Sequence, residues 1–316
     1  MRRPNPVAAT AAALAACALF VQARTAIAET RHRVRGSFIE VDGVRLHYLE
    51  RGPLEPADPA APPLVLLHGI GSMIDDFLLS GLVTRAAQRY RVIAIDRPGY
   101  GRSSRPRDRL WTPGAQADLI HRALRRLDVS CPVMFGHSFG ATVALAYALR
   151  YPVERLVAAS GYYYPTVRLD APLLVPPAIP VIGDLMRYTL SPIVGRALWP
   201  LWLRLIFAPR GVARRFRPFP AWMALRPLPL RAVGEDAAGL LPAVLAMAPQ
   251  YANLRVPTVL VAGTDDRYVS TRAHSVRLQG EIRGSGLVLV PGAGHMVHHA
   301  ASEAVMHAIA GQPALV

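Results

Sequence analysis

The chain has 316 residues, 52% hydrophobic and 18% charged, which argues against disorder and suits one large α/β domain or two smaller ones. Its net charge is +15 and it contains no lysine, so all 36 basic residues are arginine. No zinc-finger, helix-turn-helix or basic-aromatic RNA motif accompanies that charge, which argues against nucleic acid as a partner.

Arg2 and Arg3 precede an apolar stretch from Val7 to Val21, and Ala26-Ile27-Ala28 offers a small-residue cleavage signal before Glu29. The stretch is shorter than the ~20 residues a membrane helix needs, and Gln22 and Arg24 interrupt its continuation. Residues 1–28 therefore read first as a cleaved export signal, with a periplasmic or secreted product. An uncleaved N-terminal anchor is the second reading. A lipobox at Leu14-Ala15-Ala16-Cys17 is the third, although the apolar Ala-Leu-Phe-Val that follows Cys17 is unlike a lipoprotein. The other cysteine, Cys131, reads as a small hydrophobe at the start of a buried strand.

Residues 37–50 alternate apolar and polar around Asp42-Gly43, the pattern of a hairpin. PPLVLLHG (62–69) and RVIAIDRPG (91–99) are short apolar runs ending in glycine, as buried strands do. Between them, 73–89 has roughly helical spacing, and 113–129 has apolar positions at helical spacing after Pro113. PVMFG (132–136) and ERLVAAS (154–160) read as two more strands around a small-residue helix at 141–150. TVLVAG (258–263) and GLVLVPG (286–292) complete the strands, each followed by helical sequence. This rhythm predicts a doubly wound, mostly parallel sheet with helices on both faces. From Tyr164 to Gln250 it breaks, and residues 164–250 are expected to form a helical cap between core segments 29–163 and 251–316.

In such sheets functional groups gather at the carboxyl ends of strands. Three residue types able to activate a hydroxyl fall there: Ser138 in Gly136-His137-Ser138-Phe139-Gly140, Asp266 in GTDDRYV and His295 in PGAGHMVHH. Together with His68-Gly69-Ile70-Gly71 and Asp96-Arg97-Pro98-Gly99-Tyr100-Gly101-Arg102-Ser103, these motifs resemble the α/β-hydrolase fold family in its cap-bearing branch, over roughly residues 37–312. The resemblance implies Ser138 as nucleophile, His295 as base and Asp266 as the acid that orients it. It also implies an oxyanion hole from the backbone N–H groups of Ile70 and Phe139. Asp265 competes with Asp266, but the family places its acid three residues after a glycine such as Gly263. Serine at 138 argues against epoxide hydrolases and haloalkane dehalogenases, which carry aspartate there.

His68, Tyr162, Tyr163 and Tyr164 are candidate substrate contacts. The histidines 295, 298 and 299 do not read as a metal site, because no matching cysteine or carboxylate cluster is visible and a helix start with exposed histidines explains them. Neither a metal nor a cofactor is expected. Between Ala171 and Gly234 the cap carries nine arginines, one acid (Asp184) and three tryptophans. That composition suits a plain lid with solvent-facing arginines, and also a membrane-surface patch, although prolines at 200, 209, 218 and 220 should prevent one long amphipathic helix. The functional expectation is hydrolysis of a small to medium hydrophobic ester without cofactor. Its rivals are C–C bond cleavage of a diketone-type acid and ligand reception on the same scaffold.

Overall fold

The computed structural model describes residues 5–53 and 61–312. Eight strands form one sheet in the order β1-β2-β4-β3-β5-β6-β7-β8. They are β1 (Ser37–Val41), β2 (Val44–Arg51), β3 (Leu64–Leu67), β4 (Val92–Ile95), β5 (Val133–His137), β6 (Arg155–Ala159), β7 (Thr258–Gly263) and β8 (Gly286–Val290). The first two form the expected hairpin, whose turn residues Asp42 and Gly43 both have positive φ (50° and 73°). β2 meets β4 antiparallel, and every later pairing is parallel.

Alternation along the strands divides the core in two. Leu67, Ile95, Met134 and Leu260 face α4 (Pro113–Arg126) and α5 (Phe139–Ala148). Leu66, Ala94, Phe135 and Val261 face α2 (Ile74–Ser80), α3 (Leu82–Ala86) and α13 (Ser302–Ala310). Full burial of each of these side chains larger than alanine contributes roughly 1.5–3 kcal/mol. The helical spacing at 73–89 is split by Gly81, whose φ of 79° stops α2 and starts α3. Cys131 does not begin a strand: it is half-buried two residues before β5.

Between β6 and β7 lie α6 (Ala171–Leu174), α7 (Ile182–Tyr188), α8 (Leu190–Phe207), α9 (Ala221–Ala224) and α10 (Pro227–Met247), with no strand. Pro200 sits inside α8, but the helix ends at Phe207, before Pro209, so no single long helix forms across the prolines. After β7 come α11 (Arg277–Glu281) and, beyond β8, α12 (Val297–Ala300). The N-terminal helix α1 (Pro6–Arg31) runs unbroken past Gln22 and Arg24. Arg24 is accommodated because its guanidinium stacks 4.9 Å from the Trp222 ring of the cap.

Candidate active site

Ser138 occupies the step from β5 to α5 with φ 55° and ψ −124°, a strained conformation for a residue with a side chain. The strain is held by neighbours that only glycine permits. A Cβ on Gly136 would lie 2.3 Å from the Gly140 carbonyl oxygen, and one on Gly140 would lie 2.1 Å from that of Leu67. The turn is also tied to β6, because the Ser138 N–H donates to the Ala159 carbonyl at 2.8 Å. α5 can approach this closely because it is short-chained, with alanine at 141, 144, 146 and 148.

His295 follows β8, and its Nδ1 bonds Asp266 Oδ2 at 2.9 Å, with both side chains almost fully buried. The other Asp266 oxygen accepts the N–H groups of Tyr268 and Val269, each at 2.8 Å. Asp265 is exposed and accepts the Thr264 hydroxyl instead. Ser138 and His295 line one pocket, which holds only about 20 Å³ of free space. Among the described residues no hydrogen bond links the Ser138 hydroxyl to the imidazole. That is the usual state of such a pair before substrate arrives. Trp202, Ile206, Phe216 and Phe219 from the helical insertion line the pocket.

The Gly69–Ile70 peptide is fixed from behind. Arg97 Nη2 donates to the Gly69 carbonyl at 3.1 Å, and His68 Nδ1 bonds the same oxygen at 2.8 Å. In a trans peptide C=O and N–H point in opposite directions, so the Ile70 N–H is turned away from Arg97, on the side where Ile70 lines the pocket. The Phe139 N–H is the first of α5 and lacks an intrahelical partner. The site therefore offers a hydroxyl, an oriented imidazole and two backbone donors.

Three expected substrate contacts are placed elsewhere. His68 is wholly buried outside the pocket, with Nε2 accepting the Arg97 N–H at 3.0 Å. Burial, helped by Arg97, pushes its pKa down to about 4, so it braces the loop as a neutral ring. Of the three tyrosines only Tyr162 lines the pocket. The chain turns after β6, and the N–H groups of Tyr163 and Tyr164 both point to His274 Nδ1, which carries their rings into the core.

Several site-building residues were not visible in the sequence. His298 is buried rather than exposed, and a carboxylate does join it: Asp76 Oδ1 lies 3.0 Å from His298 Nε2 and 2.7 Å from His299 Nε2. Burial alone would raise the Asp76 pKa, but the two imidazoles hold it well below the carboxylate range. A metal suits this trio poorly. A metal-bound imidazole donates its second N–H to an acceptor, whereas Nδ1 of both rings is buried with no hydrogen-bond partner. The trio instead ties α12, and with it His295, to α2. His137 does similar work, its Nε2 bonding the His295 carbonyl at 3.0 Å. Arg97 reaches Asp236 of α10 at 2.8 Å, and Arg105 reaches the same carboxylate at 2.9 Å.

Neutral buried imidazoles have a consequence for stability. His68 binds a proton less readily folded than unfolded, so its contribution is complete above pH 6.5 and is lost as pH falls to about 4. The loss amounts to about 3 kcal/mol. His137 and His298, also lowered chiefly by burial, add to it. The melting temperature should therefore stay level above pH 6.5 and decline between pH 6.5 and 4. A level profile down to pH 4 would contradict the neutral-ring description.

Residues 62–301 match the model of the α/β-hydrolase fold family. The 2-(acetamidomethylene)succinate hydrolase of Mesorhizobium japonicum is 27% identical over 86% of this chain and 92% of its own. Abhydrolase domain-containing protein abhd-5.2 of Caenorhabditis elegans is 37% identical over 34% of this chain and 25% of its own. Several other curated relatives are likewise matched over only about a third of their length. Among solved structures, a bacterial membrane phospholipase A superposes with a TM-score of 0.66 at 21% identity, covering 96% of each chain. A thermophilic esterase from Thermogutta terrifontis superposes with 0.67 at 20% identity, covering 89% of this chain and 97% of its own. With the parallel sheet, the serine turn and this match over three-quarters of its length, the chain belongs to the α/β-hydrolase fold family.

Proposed function

We propose that the protein is a serine hydrolase that cleaves a hydrophobic carboxylic ester through an acyl-enzyme. The observation that carries this is the strained Ser138 in one pocket with His295, whose Nδ1 is held by Asp266 while Nε2 is left for the serine. Ser138 Oγ attacks the ester carbonyl and its proton passes to His295 Nε2. The tetrahedral oxyanion accepts the Ile70 and Phe139 N–H groups. Collapse expels the alcohol, which takes the proton from His295. Water then attacks the acyl-serine by the same path, releasing the carboxylic acid and restoring Ser138.

The pocket walls, Trp202, Ile206, Phe216, Phe219 and Met296, are apolar and favour a hydrophobic acyl group. A diketone-type acid would need a free cation. Arg168 lines the pocket, but Asp170 already neutralises it through Nε and Nη2, at 3.0 and 2.7 Å, and only Nη1 is left without a partner. The test is turnover of p-nitrophenyl esters of increasing acyl length, beside a ring-fission diketone. Ester turnover that rises with acyl length is expected. Diketone turnover without ester turnover sinks this reading, and binding without any turnover favours a receptor.

We also infer that α1 is retained and holds the enzyme at a membrane. Leu14, Cys17, Ala18, Val21, Arg24, Thr25 and Ala28 recur at helical spacing and are the half-buried or buried stripe of α1. Phe20 packs on Trp222, Glu29 pairs with Arg226 at 2.5 Å, and Arg102 donates to the Glu29 carbonyl. Cleavage after Ala28 would cut this helix and discard the whole stripe and the Phe20–Trp222 contact, leaving only the two contacts of Glu29. Beside it Val181, Ile182, Leu185 and Leu201 are more than half exposed, an apolar face suited to lipid. The enzyme should therefore sediment with membranes and keep residues before Glu29, while removal of residues 1–33 should release it. A mature terminus at Glu29 or a diacylated Cys17 would refute the retained helix.

A further inference from the structure

A second cleft, sharing no residue with the catalytic pocket, lies between α4 and α10 and has a volume of about 750 Å³. Its walls combine apolar surface with five arginines and one carboxylate, Glu235. Arg109 and Arg150 pair with Asp108 and Asp118, but the other three are poorly neutralised. Asp184 is shared by Arg107 and Arg187, and Glu235 is shared by Arg105 and Arg231. The next acid, Asp236, relieves nothing more, because Arg97 and Arg105 already divide it. Arg107 and Arg187 thus have one carboxylate between them, and Arg231 has only the Glu235 that Arg105 holds more closely.

Two of these arginines are deep. Arg187 is 3% and Arg231 5% exposed. Arg231 Nε lies 3.4 Å from Glu235 but makes no hydrogen bond, and it is buried from water. Burial, together with neighbouring guanidinium groups, depresses the pKa of both side chains. Such an arrangement costs free energy unless an anion completes it. The N-terminal turn of α4, from Thr112 to Gly114, also opens onto the cleft and adds the positive end of a 14-residue helix. Around this cationic floor stand Leu110, Trp111, Ile179, Pro180, Pro242 and Met247, enough apolar surface for an aliphatic chain.

We propose that this cleft binds an amphiphile with an anionic head on an aliphatic chain, its head on Arg187 and Arg231 and its chain against the Trp111 and Pro242 walls. Two sources carry that chemistry, a free fatty acid and an anionic phospholipid. The site stands whether or not Ser138 is the nucleophile, because its evidence is geometric and its test reads binding.

The full chain in phosphatidylcholine nanodiscs would be titrated calorimetrically with dodecanoate, with dodecanol and with inorganic phosphate, against empty nanodiscs. Saturable binding of dodecanoate, and not of dodecanol or phosphate, is expected. Arg231→Gln and Arg187→Gln should each weaken it about tenfold or more, in line with a lost charge-assisted bond. Because Arg231 is buried, a third variant leaves the charges intact. A Cβ at Gly239 meets nothing within 4 Å, so Gly239→Trp should fold and fill the cleft, abolishing binding. Binding of phosphatidylglycerol nanodiscs that the same three variants remove, without binding of dodecanoate, would assign the site to the phospholipid. Undiminished dodecanoate binding by Gly239→Trp would overturn the proposal, as would equal binding of dodecanol or no binding of either anionic amphiphile.

Discussion

Ser138→Ala is expected to lower kcat by about 10⁵- to 10⁶-fold, the range seen when a serine nucleophile is removed. His295→Ala should cost about as much, and the double variant little more, because the two groups act as one unit. The melting temperature should hardly change, since alanine keeps the Cβ and the Ser138 hydroxyl makes no hydrogen bond among the described residues. Ser138→Gly would go further: with φ at 55° glycine relieves the turn, so it should be inactive yet about 1 kcal/mol more stable. Asp266→Asn should lose about 10⁴ in kcat by releasing the imidazole tautomer, while the exposed Asp265→Asn should be nearly normal. A fluorophosphonate reports the chemistry directly. Ser138 Oγ forms the P–O bond, fluoride leaves, and the serine proton goes to His295. One label on the intact enzyme and none on Ser138→Ala is the expected mass spectrum. Labelling at another serine, or persistent turnover by Ser138→Ala, would refute the assigned roles.

What could be foreseen from the sequence is what is local. Strands buried on both faces are continuous apolar runs, so β3 to β7 stand out, and the glycines around Ser138 mark a turn no other residue permits. Asp266 rather than Asp265 is what the family resemblance implies, counting from the strand end at Gly263. The supporting shell is hidden because it is made across sequence. Asp76 and His298 are 222 positions apart, and each alone looks like a surface polar residue. Asp236 looks like a solvated acid on a cap helix until the sheet brings Arg97 to it. Tyr162, Tyr163 and Tyr164 all pack into the core, and only the turn after β6 makes Tyr162 alone also line the pocket. The same blindness applies to α1, where Arg24 looks like a helix-ending interruption because its partner, Trp222, is nearly 200 residues away.

Arg97→Met is the variant expected to separate support of the oxyanion site from support of the fold. Arg97 is wholly buried and holds four acceptors: the His68 and Gly69 carbonyls, Gln116 and Asp236. Burial alone would raise the Asp236 pKa, yet Arg105 and Arg97 keep it below the ordinary carboxylate value. The ion pair therefore persists at all pH above about 4 and is lost only as pH falls through the lowered folded value. Removing one arginine leaves Asp236 with the other, but breaking a buried pair still costs about 3–5 kcal/mol. Arg105→Gln makes the matched control, since Arg105 binds Asp236 and Glu235 but neither carbonyl of the His68–Gly69 loop. Both variants should unfold at lower urea by similar amounts. Only Arg97→Met should also free the Gly69–Ile70 peptide to rotate. Outright loss of an oxyanion donor costs about 10²- to 10³-fold in kcat, so a donor left present but loosely aimed should cost somewhat less, roughly 10- to 100-fold, with KM little changed. Asp236→Ala should be the least stable of the set, because it takes a buried carboxylate from both guanidinium groups at once and leaves Arg97 with none. Equal losses of kcat in Arg97→Met and Arg105→Gln would mean that both act through the fold, and that Arg97 does not aim the Ile70 N–H.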